Sequence, residues 1–139
     1  MVTLSLHAGL SPAAHRAVGE ALLALREDGG AIVTSGGVTH NQAEFRRGWF
    51  AREPAETTTP WSERFSAWAL DALQGDAAAR AGKMLQGEGQ PDYARAHPTL
   101  DHWLPTLVAA GAAGNARGRV LHRGYQHALS TALVAFDGA

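Results

Sequence analysis

The first 34 residues alternate between strand-like and helix-like patterns, and this alternation restricts the fold more than any other feature of the chain. Residues 2–6 alternate apolar and polar side chains, which predicts a short strand. Ser11 can cap a helix that opens with Pro12, and the two glycines at 29–30 can end it. Residues 31–34 predict a second strand. Because the strands of a βαβ unit run parallel in one sheet, we predict an α/β fold with a parallel or mixed sheet flanked by helices.

The centre of the chain predicts a buried helix, and its end predicts two strands. Residues 48–60 have the composition of a loop. Thr59 and Pro60 then open a predicted helix that carries Trp61, Phe65 and Trp68 on one face, at the spacing of a side that packs into a core. Residues 119–136, "RVLHRGYQHALSTALVAF", predict two strands joined by a turn or short irregular segment.

The stretch "AHPTLDHWLPTLVAAGAAG", residues 96–114, predicts another helix. Asp101 can cap a helix that starts at His102, and Pro105 would lie in the first turn, where a missing N–H is tolerated. Gly111 and Gly114 would end it. His102 is therefore expected at the start of a helix.

Composition limits the possible functions. A chain of 139 residues with 45% hydrophobic residues predicts one globular domain over residues 1–139. Twelve basic against 13 acidic residues, without a basic and aromatic cluster, argue against a nucleic-acid partner. Without cysteine, any metal must be bound by histidine and carboxylate groups. The start of the chain lacks a charged leader, and no segment reaches the roughly 18 apolar residues of a membrane span, so we expect a cytoplasmic protein and no membrane partner.

His40 ends the stretch "AIVTSGGVTH", where a predicted strand runs into two glycines. Functional groups gather beyond the carboxyl ends of the strands in such sheets. A lone histidine at a strand end can equally serve as a structural hydrogen-bonding group, and the residue pattern alone leaves both readings open. His7 and His15 are predicted to be solvated, and His127 to lie at the surface or on a substrate side.

Four segments carry a resemblance in matching order: "SLHAGLSPAAHRAVGEALLALREDGGAIVTSGGVTHN", "WSERFSAWALDAL", "AHPTLDHWLPTLVAAGAAG" and "STALVAF". Together they resemble the C-terminal half of the class III extradiol ring-cleavage dioxygenases of the LigB type, most closely the DOPA dioxygenase-like branch. The resemblance implies an α/β fold with a mononuclear non-haem metal, Fe(II) in most members and Zn(II) in some. It also implies a catechol-type substrate and O₂ as small-molecule partners, with opening of the aromatic ring.

The resemblance also implies roles for individual residues. His40 matches a metal-site histidine that plausibly acts as the catalytic acid or base, and His102 matches a metal ligand. Asp101 or Asn41 would orient these rings. His97 is expected mainly to fix the loop that presents His102, and His122 to lie at the surface or on the substrate side.

The resemblance covers about half of the family's length, and the other half normally supplies two further metal-binding histidines. We therefore expect a homo-oligomer or a partner chain that supplies the other half. Two hypotheses stay open: an extradiol dioxygenase completed by another chain, and a truncated, non-catalytic fragment or interaction module of the same fold.

Overall fold

The computed structural model of the chain describes residues 1–7, 9 and 11–137. None of the helices in this part combines the length and the apolar character needed to cross a membrane. The helices are α1 (Pro12–Ala21), α2 (Leu23–Glu27), α3 (Gln42–Phe50), α4 (Pro60–Gln74), α5 (Ala77–Leu85), a 3₁₀ turn (Gly87–Gly89), α6 (Tyr93–Ala96) and α7 (Leu104–Ala112). The strands are β1 (Gly118–His122), β2 (Tyr125–Gln126), β3 (Leu129–Ser130) and β4 (Leu133–Phe136).

Helix α4 forms the centre of the core. It begins after Thr59 with proline in the first turn, as predicted. Trp61 and Phe65 are buried and Trp68 is half-buried, which confirms the predicted core face. The Phe65 ring packs edge-on against Trp103, with 5.6 Å between ring centroids. Burying a side chain of this size contributes about 1.5–3 kcal/mol, so this aromatic cluster anchors the segments around it.

The predicted start of α1 is confirmed. The hydroxyl oxygen of Ser11 accepts a hydrogen bond from the Ala14 N–H, and proline occupies the first turn. The helical segment ends at α2, and Gly29 then adopts a φ of +87°, which glycine accommodates without a Cβ clash.

Helix α1 crosses α7 at two glycines that let the backbones touch. A Cβ on Gly19 would lie 2.1 Å from the Val108 carbonyl oxygen, and one on Gly111 would lie 2.2 Å from the Arg16 carbonyl oxygen. The prediction that Gly111 ends the helix expected from His102 is wrong, because α7 continues to Ala112. This glycine is needed for close packing instead of for a turn.

The predicted parallel strands are not formed in the described residues. Residues 2–6 and 31–34 have no strand assignment, and the strands that are present pair antiparallel. Val2 is 96% exposed and Val33 is 90% exposed, so neither of these side chains packs against a sheet or helix. A strand needs a hydrogen-bonded neighbour, and the strand-like pattern alone cannot provide one. The architecture is therefore mixed, with helices and small antiparallel sheets.

The two strands predicted at the end of the chain are present as β1 and β4, and two further short strands lie between them. Strands β1 and β4 pair antiparallel, with Gly118 opposite Phe136 and Val120 opposite Val134. Between them β2 and β3 form a second antiparallel pair, and Ser130 of β3 also bridges to Thr39. This bridge connects the strand region to the segment that carries His40.

Three local predictions need correction. The loop predicted over 48–60 starts later, because α3 runs to Phe50. Asp101 does not cap a helix, and His102 does not start one, because residues 101–103 form a turn and α7 begins at Leu104. The Asp101 carboxylate accepts a hydrogen bond from the Thr99 hydroxyl. The competing side-chain contact holds this carboxylate away from the helix N–H groups. Pro105 does lie in the first turn, as predicted.

Two histidines predicted at the surface are buried. His15, which belongs to α1, is 2% exposed, and its Nδ1 lies 3.1 Å from the Ser11 carbonyl oxygen. His127 lies beneath α3, where its ring contacts Phe45 edge-on at 5.5 Å between centroids. The sequence pattern placed neither ring in the core.

Candidate metal centre

Two loops carry the candidate site, and backbone hydrogen bonds hold them together. The first loop spans residues 36–41, and the second consists of the end of α6 and residues 97–102. The His40 N–H donates to the Ala96 carbonyl oxygen at 2.8 Å. The Asn41 side-chain amide donates to the Arg95 carbonyl oxygen at 2.7 Å. These contacts bring two segments that are far apart in the sequence into a fixed relation.

Asn41 and His97 also connect the two loops to the helical core. Asn41 caps α3, because its Oδ1 accepts a hydrogen bond from the Glu44 N–H at 3.0 Å. The buried His97 ring donates from Nε2 to the Val38 carbonyl oxygen at 2.9 Å. Its ring packs against Trp103, with 5.1 Å between centroids. Each residue ties one of the loops to the helical core.

His40, Asp101 and His102 converge between the loops. One potential ligand atom from each lies within 4.8 Å of the other two, and they form a cluster of this kind among the residues that the structure describes. The imidazole rings of His40 and His102 stack, with centroids 3.4 Å apart and an angle of 12° between their planes. Asp101 Oδ2 lies 3.8 Å from His102 Nε2. Two imidazoles and a carboxylate thus share one small, partly exposed space.

The electrostatics of the cluster favour a neutral His40 beside an ionised Asp101. Burial, helped by the neighbouring His102, lowers the pKa of His40 below its ordinary value, and Asp101 offsets part of that effect. The hydrogen bond from the Thr99 hydroxyl holds the pKa of Asp101 below its ordinary value. At neutral pH the cluster therefore offers unprotonated imidazole nitrogen and a carboxylate, the forms that bind metal ions.

One ring nitrogen of each of these two histidines has a hydrogen-bond partner within the protein. The Gly37 N–H donates to His102 Nδ1 at 3.2 Å. The Gln42 side-chain nitrogen lies 2.9 Å from His40 Nε2, where it donates to the ring. Neither Gly37 nor Gln42 stands out in the sequence as a site residue. A signal was available for Gln42, because it follows His40 by two positions in the first turn of a helix.

His97 and His122 lie outside the cluster. Burial is the main reason that the pKa of His97 falls to about 4, so this ring stays neutral and serves as a hydrogen-bond donor to the loop backbone. His122 is exposed at the end of β1, and its Nε2 lies 3.4 Å from the Thr131 hydroxyl.

The donor set of the cluster fits a divalent metal. Two histidines and one carboxylate are the protein ligands of non-haem Fe(II) sites that keep open positions, and the same donor types bind catalytic Zn(II). The residues that would hold the metal are His40, His102 and Asp101.

Comparison with known proteins identifies related sequences. The model of the family described as catalytic LigB subunit of aromatic ring-opening dioxygenase matches residues 1–136. A 4,5-DOPA dioxygenase extradiol of Portulaca grandiflora is 30% identical over 125 residues, covering 89% of this chain and 44% of the relative. The corresponding protein of Beta vulgaris is 29% identical over 124 residues, covering 88% and 43%. The chain thus spans less than half the length of these curated relatives.

A solved structure supports the fold. The crystal structure of an uncharacterized protein from Escherichia coli K12 superposes with a TM-score of 0.75 at 23% identity, covering 91% of this chain and 51% of the other. With a family match that spans almost every residue and relatives that are extradiol dioxygenases, the chain belongs to the LigB family of aromatic ring-opening dioxygenases.

Proposed function

We propose that this chain contributes a metal site to the extradiol cleavage of a catechol-type substrate by O₂. The observation that carries the proposal is the convergence of His40, Asp101 and His102, whose ligand atoms lie within 4.8 Å of one another. Membership of the LigB family supplies the reaction class. The names of the plant relatives point to a dihydroxyphenyl substrate such as DOPA.

The metal in this proposal is Fe(II), with Zn(II) as the alternative. When bound, it supplies Lewis acidity toward the two adjacent hydroxyls and, as iron, redox chemistry with O₂. His102 and Asp101 act as ligands. Asp101 contributes a negative charge that stabilises a bound cation, and its low pKa keeps that charge present under mildly acidic conditions.

His40 is the proposed catalytic acid or base as well as a metal-site residue. Its lowered pKa keeps the ring neutral at pH 7, so that one nitrogen can accept a proton from a substrate hydroxyl. His40 would return that proton to the substrate when the aromatic ring of the substrate opens. Asn41 and His97 would keep the two loops in register and thereby hold His40 near His102.

Oxygen uptake tests this function. Protein loaded anaerobically with Fe(II) is mixed with a catechol such as DOPA, and oxygen consumption is followed together with the absorbance of the semialdehyde product. We expect activity in the native chain, alone or after addition of a partner chain that supplies the other half of the family fold. His102→Ala should lose metal and turnover together. His40→Ala should lose turnover, and the metal it retains measures how far His40 acts as a ligand. Absence of oxygen uptake under both conditions would contradict the proposal.

We further propose that the chain associates, either with a second copy or with a chain that supplies the other half of the fold. Val2 is 96% exposed and Val33 is 90% exposed, and burying such apolar side chains favours association. Light scattering after size exclusion should give a mass above that of one chain, and a monodisperse monomer at micromolar concentration would contradict this. A cytoplasmic location and a single domain over residues 1–139 stay predictions.

A further inference from the structure

We propose that a cavity beside the end of α3 binds a free aromatic amino acid in its zwitterionic form. The cavity is open to solvent and has a volume of about 580 Å³, which is within the range of small-molecule sites. The residues that line it are Trp49, Phe50, Arg52, Glu53, Ala55 and His127. None of these residues belongs to the candidate metal centre, so this ligand site is independent of the metal that the proposed function requires.

The cavity wall carries one charge of each sign. Within the part of the chain that the structure describes, neither Arg52 nor Glu53 forms an ion pair, whereas the nearby Arg47 is paired with Glu44. A guanidinium pairs with a carboxylate, and a carboxylate pairs with an ammonium. Two unpaired charges of opposite sign in one cavity therefore favour a ligand that carries both a carboxylate and an ammonium group.

Two aromatic side chains supply the apolar part of the wall. Trp49 is 59% exposed and Phe50 is 78% exposed, which leaves most of their surface without packing. The Trp49 ring is held in place by stacking on Phe45, with 6.1 Å between ring centroids, and Phe45 in turn contacts His127. Aromatic pairs stabilise one another beyond the area that they bury, so these walls favour a ligand with an aromatic ring.

His127 adds a buried polar group without a partner. The residue is 4% exposed, and its Nδ1 has no hydrogen-bond partner within residues 1–7, 9 and 11–137. Buried polar atoms are rarely left unpaired in folded proteins. A Cβ on Gly48 would lie 2.7 Å from this nitrogen and 3.0 Å from Oε2 of Glu53, so the imidazole and the carboxylate lie close together over the glycine. An ammonium bound to Glu53 has further N–H groups to donate to the imidazole nitrogen.

The backbone around the cavity is held in an unusual conformation. Among the described residues, the two non-glycine residues with a positive φ both line this cavity: Arg52 at +55° and His127 at +52°. The Arg52 N–H donates to the Trp49 carbonyl oxygen at 3.1 Å, and the His127 N–H donates to the Ala55 carbonyl oxygen at 2.9 Å. Such backbone is unfavourable for residues with a Cβ and clusters at sites that clamp ligands. The wall is thus fixed before a ligand binds.

The test uses L-phenylalanine, which has both charges and a ring but lacks the adjacent hydroxyls of a catechol. The metal-free native chain is titrated with it, and binding is followed by calorimetry and by the amide shifts of residues 48–55 and 127 in nitrogen-15 NMR. Phenethylamine lacks the carboxylate, and 3-phenylpropionate lacks the ammonium. Each should bind about threefold to tenfold more weakly than L-phenylalanine, because each loses one partly exposed charged contact.

A substitution in the cavity identifies the charge that each ligand uses. Glu53→Gln should weaken L-phenylalanine binding about threefold to tenfold and leave 3-phenylpropionate binding unchanged, because only the ammonium pairs with Glu53. Glu56→Gln, at an exposed glutamate that does not line the cavity, is the matched control and should bind like the native chain. Trp49→Ala should weaken the binding of all three ligands. These residues are exposed, so the variants should keep the native fold.

Absence of L-phenylalanine binding at millimolar concentration would overturn the proposal, as would amide shifts confined to residues outside the cavity. Equal binding of the three ligands, or equal L-phenylalanine binding by the native chain and Glu53→Gln, would overturn it as well. The protein is metal-free and the probe is not a catechol, so these results do not depend on the proposed function. Failure of oxygen uptake with a catechol would count against that function alone.

Discussion

Replacing His97 with phenylalanine tests how the two site loops are joined. His97 is 4% exposed, and its Nε2 donates to the Val38 carbonyl oxygen at 2.9 Å. Phenylalanine keeps an aromatic ring of similar size between Phe65 and Trp103, so the core packing is largely retained. What it removes is the donor to the loop backbone. A buried carbonyl left without its partner costs about 1–3 kcal/mol of unfolding free energy at neutral pH.

The same substitution changes how stability depends on pH. The pKa of His97 falls from its ordinary 6.5 to about 4, mainly because the ring is buried. Between these values the unfolded chain binds a proton that the folded chain does not, so stability is fully present above pH 6.5 and is lost as the pH falls toward 4. By this linkage His97 alone should lower the unfolding free energy by about 2 kcal/mol between pH 7.5 and pH 5.

Urea denaturation at these two pH values provides the assay. The native chain and His97→Phe should differ by about 1–3 kcal/mol at pH 7.5, and this difference should shrink by about 2 kcal/mol at pH 5 because the variant has no proton to gain at this position. His122→Phe, which changes an exposed histidine, is the matched control and should keep the pH dependence of the native chain. If His97→Phe also keeps the native pH dependence, the buried neutral state of His97 is refuted.

Two further substitutions test the packing around the core, each by the midpoint of thermal or urea unfolding. Arg80 is 2% exposed and donates to four backbone carbonyl oxygens. Arg80→Met should therefore lower the unfolding free energy by about 3 kcal/mol or more, whereas Arg117→Met, at an exposed residue, should change it little. Equal effects of the two substitutions would contradict the burial argument. Gly111→Ala should cost about 1–3 kcal/mol, because its Cβ would lie 2.2 Å from a carbonyl oxygen of α1. Gly82→Ala in α5, where an added Cβ would have nothing within 4 Å, should instead raise the unfolding free energy by up to about 1 kcal/mol. An equal gain in Gly111→Ala and Gly82→Ala would exclude the close crossing of α1 and α7.

Local signals in the sequence predicted the elements that depend on local contacts. Ser11 and the proline after it start α1, and the proline at 60 starts α4, because capping and a fixed φ act within one turn. Trp61 and Phe65 recur at the helical period, which is sufficient to identify a buried face. The antiparallel pairing of β1 with β4 was also accessible, since both segments are apolar and close in the sequence.

The features that depend on distant partners were not predictable in the same way. Residues 2–6 and 31–34 have strand-like patterns, but a sheet neighbour is required to realise them. Arg80 stands in an ordinary alanine-rich helix, and its burial results from carbonyl groups supplied by the end of α7 and the segment after it. Asp101 was expected as a helix cap or a residue that orients a ring. Its place as a third potential ligand arises because the turn at 101–103 delays the helix.

Metal stoichiometry tests the central claim most directly, namely that His40, Asp101 and His102 form one metal site within this chain. Metal-free protein is equilibrated with Zn(II), or anaerobically with Fe(II), passed through a size-exclusion column and analysed for metal. We predict about one metal per chain in the native protein, with a marked loss in His102→Ala and a smaller loss in Asp101→Asn. His122→Ala, outside the cluster, should retain the native stoichiometry. A native chain that leaves the column without metal, or a His102→Ala protein that retains it fully, would contradict the account.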